Sequence, residues 1–107
     1  MAFRLFASLL FLAALTLSGC STKAPLGADA AIHGNTYDPA TLTIKSGQRI
    51  HFSNHDSVEH SVTADSGGEF DRDIEGGSAG DITFPDAGTF PFHCKYHTSM
   101  HGTVVVQ

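Results

Sequence analysis

Cys94, His97 and Met100 fall in one seven-residue segment, Cys-Lys-Tyr-His-Thr-Ser-Met, near the end of a 107-residue chain. His60 lies far upstream. Two imidazoles, a thiolate and a thioether form a donor set that suits copper. A trigonal His₂Cys site with a long, weak axial Met is the arrangement that carries single electrons. The nitrogens satisfy Cu(II) and the sulfurs satisfy Cu(I), so one site serves both oxidation states with little rearrangement. The Cys-x₂-His-x₂-Met spacing places three donors on a loop short enough to curl around one ion. His60 supplies the fourth from a separate strand.

Two of the donors have a rival. His101 directly follows Met100 and is an alternative axial donor; adjacent side chains point apart, so the two do not serve together. His55 competes with His60 but sits in a turn, without apolar neighbours in phase. His33, His51, His55 and His93 read as surface or turn residues. His51 and His55 are four apart, yet there is no His-Glu-x-x-His motif. The acidic run Asp65, Glu69, Asp71, Asp73, Glu75 and Asp81 reads as a solvated face or a docking patch for a basic partner. It lacks the full pattern of a calcium loop.

The elements that must position these donors are short and alternating. Leu42 and Ile44, Ile50 and Phe52, Ile82 and Phe84, and Phe90, Phe92 and Cys94 each share a parity, and Thr103 to Val106 close the chain. Asp38-Pro39, Ser46-Gly47, Asn54 to Ser57, Ser66 to Gly68, Gly76-Gly77 and Asp86 to Gly88 separate them as turns. Several short strands at regular spacing predict an all-β sandwich or barrel. Residues two apart on a strand face the same side. His60 therefore faces inward with Val62, and Cys94 with Phe90 and Phe92.

The first nineteen residues read as an export signal. Arg4 precedes an apolar stretch from Leu5 to Leu17, short for a membrane span. Leu17-Ser18-Gly19-Cys20 resembles a bacterial lipobox, which makes Cys20 the lipidated first residue of the mature chain. More than one acyl chain makes such anchoring stable. Ser21 follows where inner-membrane lipoproteins carry Asp, which implies the periplasmic face of the outer membrane. Residues 20–29 then form a lipidated Cys and flexible tether, broken by Pro25 and Gly27, and 30–107 form the domain. With Cys20 lipidated and Cys94 a ligand, no disulfide is expected.

Composition limits the partners. The chain has 6 Lys and Arg against 11 Asp and Glu. Removing Arg4 with the signal leaves 5 against 11, a net charge of −6. That excludes nucleic acid, which needs a basic face, and suits a basic protein partner steered by charge.

The segments His60-Ser61-Val62 and Ala87-Gly88-Thr89-Phe90-Pro91-Phe92-His93-Cys94-Lys95-Tyr96-His97-Thr98-Ser99-Met100-His101-Gly102-Thr103-Val104-Val105-Val106 resemble the cupredoxin, or blue copper, family in its amicyanin- and plastocyanin-like members. Residues 32–44 match only loosely. The resemblance implies a Greek-key sandwich of about eight strands, one copper ion at one end, and electron transfer. Two positions depart from the family pattern. Relatives often carry Asn after the first His, tying the two ligand segments together, where this chain has Ser61. Amicyanin-like members often have Pro before the second His, where it has Tyr96.

The expected activity is that of a monomeric, lipid-anchored periplasmic electron carrier. Its partners would be redox proteins such as a basic cytochrome or a copper oxidase or reductase. Copper storage, delivery or tolerance is the alternative, though the chain has only Met1 and Met100 and lacks the Met clusters of copper chaperones. An enzyme is not expected, since no His-x-His pair offers a second copper.

Overall fold

The computed structural model describes residues 23–107, so the segment expected to be an export signal and Cys20 lie outside the described residues. Nine strands and no helix form among the described residues. They are β1 (Leu26–His33), β2 (Thr36–Asp38), β3 (Thr41–Ile44), β4 (Gln48–Asn54), β5 (His60–Ala64), β6 (Asp71–Ile74), β7 (Ala79–Phe84), β8 (Gly88–His93) and β9 (His101–Val106). One sheet has the order β2-β1-β4-β7 and the other β3-β9-β8-β5-β6. Strands distant in the chain lie side by side, as a Greek-key sandwich requires. β1 pairs with β4 and β3 with β9 in parallel, and the remaining pairs are antiparallel.

The alternating runs form strands because each buries one parity between the sheets. Ile50 and Phe52 from β4 and Ile82 and Phe84 from β7 meet Leu42, Val62, Phe92 and Val104 from the other layer. Phe92 is the hinge of this packing. Its ring centroid lies 4.7 Å from that of Tyr37 and 6.0 Å from that of Phe52, both edge to face. Burying such a ring stabilises by ~1.5–3 kcal/mol. Gly102 sits opposite Phe92 in the β8–β9 ladder, and a Cβ there would fall 2.2 Å from Phe92 Cζ. This glycine of the closing strand is thus required by the ring it faces.

The all-β sandwich expected from the sequence is what forms, its ninth strand being Thr36–Asp38, a short edge strand paired with β1. One expectation needs correction. The segment expected to be tether up to Asp29 is strand from Leu26 onward, paired with β4 at Leu26–Arg49. Fastening reaches further back. Arg49 donates from its backbone N to Pro25 O and from Nε to Ala24 O, both at 2.9 Å, and Lys23 bridges Asp81 at 3.1 Å. Pro25 and Gly27 look like flexible-linker text, but a backbone that donates nothing at Pro25 still accepts.

Candidate metal centre

β5 begins with His60, and the loop between β8 and β9 supplies Cys94, His97 and Met100. The loop is closed by its own backbone. Met100 N–H donates to His97 O at 3.0 Å, and Cys94 N–H donates to Met100 O at 3.2 Å. His60 and Cys94 are fully buried, Met100 is 1% exposed, and His97 is half-buried. A ring this tight, set on two neighbouring strands, leaves its donors little freedom.

The three strong donors converge. His60 Nδ1 lies 3.1 Å from His97 Nδ1, and Cys94 Sγ lies 3.8 Å from each of them. A triangle with sides of 3.1, 3.8 and 3.8 Å has one in-plane point about 2.1 Å from all three corners, the length of nitrogen and sulfur bonds to a first-row ion (~2.0–2.3 Å). The donor set therefore fits a single trigonally held metal ion.

The surroundings prepare these atoms. His60 Nε2 lies 2.8 Å from Asp56 Oδ2. With Nε2–H donating to the carboxylate, Nδ1 is left bare and aimed at the other donors. Asp56 is itself held, accepting from Gly34 N–H at 2.8 Å and Asn35 N–H at 3.1 Å. Those two amides, Asn35 before Gly34, and then His60 lower the Asp56 carboxyl to about 2. Gly34 and Asn35 both adopt positive φ, 58° and 57°, in the tight turn between β1 and β2. Buried Asn54 shapes the loop that carries Asp56. Its Nδ2 donates to Val58 O and Ile74 O, and its Oδ1 accepts from Asp56 N–H. On the sulfur side, Ser61 N–H donates to Cys94 Sγ at 3.3 Å.

The cupredoxin-like domain family matches residues 5–106. The chain belongs to that family. It is similar to amicyanin of Paracoccus denitrificans, with 30% identity over 76 residues, covering 66% of this chain and 58% of the relative. The chain thus spans little more than half the length of that protein. Two amicyanin structures share its fold. An oxidised proline-to-alanine variant gives a TM-score of 0.68 at 29% identity, covering 76% of this chain and 82% of that one. The Cu(I) form of a methionine-to-alanine variant gives 0.68 at 28%, covering 80% and 87%.

Within this cupredoxin the expected donors His60, Cys94 and His97 come together, and Met100 and its rival His101 differ in burial. His101 is exposed and opens β9 opposite His93, whereas Met100 packs in the core cluster with Cys94. His33 and His55 are exposed. His51 and His93 are half-buried and pair with Asp81 and Asp65, each at 2.6 Å. Ser61, at the position where relatives often carry Asn, ties the two ligand segments together. Its Oγ accepts from Lys95 N–H at 2.9 Å and meets Thr63 Oγ1, which donates to Asp71. Asp73 and Asp71 hold the Lys95 ammonium and raise its pKa.

Sequence reasoning missed Asp56 and Asn54. The one signal was Asp56 at four residues before His60, within the turn Asn54 to Ser57. Nothing local marks the amides of Gly34 and Asn35 as its partners.

Proposed function

We propose that this cupredoxin binds one copper ion through His60, Cys94, His97 and Met100 and carries single electrons between redox proteins. The convergence of three donor atoms on one point about 2.1 Å from each is the observation that carries this reading. Bound there, copper supplies a one-electron couple between Cu(I) and Cu(II). Met100, buried beside Cys94, is favoured over exposed His101 as the weak axial donor. The Ser61 amide on Cys94 Sγ stabilises negative charge on the sulfur. Asp56 keeps the His60 ring in one tautomer and orientation.

Among the strong donors only His97 reaches the surface, so its imidazole edge is the path by which an electron leaves. Full burial of His60 and Cys94 favours retention of the ion over delivery. The acidic balance of the mature chain suits a basic partner such as a cytochrome, or a copper oxidase or reductase. The protein works as a monomer in the periplasm and transforms no substrate itself. Lipid on Cys20 holds it at the outer membrane.

Adding Cu(II) to the purified protein is expected to give an intense blue band that vanishes on reduction and is missing in Cys94→Ala. A weak, pale spectrum indifferent to that substitution would sink the reading. Met100→Leu is expected to alter the band and His101→Leu to leave it unchanged.

A further inference from the structure

The geometry points to a fixed orientation on the membrane, with the metal end held away from the bilayer and presented to partners from the aqueous side. This rests on the lipid anchoring proposed for Cys20. β1 and β4 run in parallel toward the metal end. Arg49 lies near the start of β4, and Asn54, at its end, anchors the loop that reaches His60. From Arg49 to Asn54 is five residues, and at ~3.3 Å per residue the metal end stands ~17 Å or more above Arg49.

The chain entering the domain is fastened at the Arg49 level. Ala24 O and Pro25 O accept from Arg49, and Lys23 bridges Asp81 across the outer face of the four-stranded sheet. Cys20 precedes Lys23 by three residues. Three residues span at most ~11 Å. The leash is therefore shorter than the height of the metal end above its fastening. Turning that end onto the bilayer would require Lys23 to rise further from the lipid than the chain permits. The opposite end of the sandwich, or the lower outer face of the four-stranded sheet, faces the headgroups instead. In either pose the metal end does not face the lipid, and His97 is presented to partners from the aqueous side. The partner is a soluble protein, or a domain that projects into the aqueous space.

The chain has no tryptophan, so one indole at a time can report position. Leu26 and Tyr96 are almost equally exposed, at 46% and 47%, one near the fastening and one in the ligand loop. Full-length Leu26→Trp and Tyr96→Trp proteins, expressed in a two-membrane bacterium, are placed on phosphatidylethanolamine–phosphatidylglycerol vesicles bearing headgroup nitroxides. Mass spectrometry checks the lipid on Cys20. Leu26→Trp is expected to be quenched several-fold more strongly than Tyr96→Trp. A long Gly/Ser insertion between Thr22 and Lys23 is expected to abolish the difference. Equal or reversed quenching on lipidated protein with the native leash overturns the orientation and leaves the anchor standing. Asymmetry that survives the insertion overturns the leash as its cause. Cys20 without lipid overturns the anchoring reading, and the orientation falls with it.

Discussion

Ser61 serves the metal centre with every part it has. Its N–H faces Cys94 Sγ, its hydroxyl accepts from Lys95 N–H, and its carbonyl accepts from the Tyr37 hydroxyl. Burial, first, pushes that hydroxyl's pKa up, so it stays a donor. Ser61→Ala keeps the two backbone bonds and removes only the tie to the loop. Lys95 N–H then loses its partner in a part-buried position. The expected cost is about 1–2 kcal/mol, the range for a lost hydrogen bond whose donor stays partly desolvated. It would be read as a lower urea midpoint with an unchanged slope. Loosening a contact just outside the ligands also weakens metal affinity, by ~10-fold or more, measured by competition with a chelator. An unchanged midpoint and affinity would mean that water serves Lys95 equally well.

At the scale of elements, the fastening of the entering chain to the four-stranded sheet depends on Asp81. His51, then Lys23 and Arg49, lower its carboxyl pKa against an opposing effect of partial burial. A carboxyl whose folded pKa is depressed stabilises the fold above its unfolded value, ~3.9, and that stability is lost as pH falls through the folded value. Asp81→Asn is expected to lower stability by about 0.5–1 kcal/mol at pH 7, the scale of a partly exposed ion-pair group. The gap between wild type and variant should close below about pH 4. Urea titrations at several pH values check it, and a gap that widened in acid would contradict the role. This fastening also shows where sequence was legible. Strands with large apolar residues in alternation, such as β3, β4 and β8, could be read directly. β1 could not, since Ala28, Asp29, Ala30 and Ala31 give little contrast and Pro25 and Gly27 resemble linker. β6 exposes Asp71, Arg72 and Asp73 and is a strand only through pairing with β5. The candidate donors His60, Cys94 and His97 were legible because their chemistry is concentrated in one loop and one distant His. Asp56 and Asn54 were not, because they act through bonds to Gly34, Asn35 and Ile74, at least twenty residues away in the chain.

At the scale of the whole molecule, the donor triangle exists only when the five-stranded sheet is assembled. β5 and β8 meet at Thr63–His93 and Ala64–Phe92, and that pairing brings His60 within reach of the loop after β8. In an unfolded chain His60 and Cys94 are far apart, and three closely placed donors alone offer a weaker grip. An ion held by all of them therefore binds the native state almost exclusively. Such a ligand stabilises by ~2.7 kcal/mol at a hundredfold excess over its Kd. For a domain of this size each kcal/mol moves Tm by ~4–8 °C, so bound copper is expected to raise Tm by ~10–20 °C. The gain should grow with free copper, vanish on chelation, and be lost in Cys94→Ala. Asp56→Asn tests the same coupling without touching a donor. His60 then loses the carboxylate that fixes its tautomer, while Gly34 and Asn35 lose a charged acceptor. Its copper-dependent rise in Tm should be smaller than that of the wild type, because the ligand ring must be oriented at the moment of binding. A full rise in both substituted proteins would mean that copper stabilises the fold from some other place.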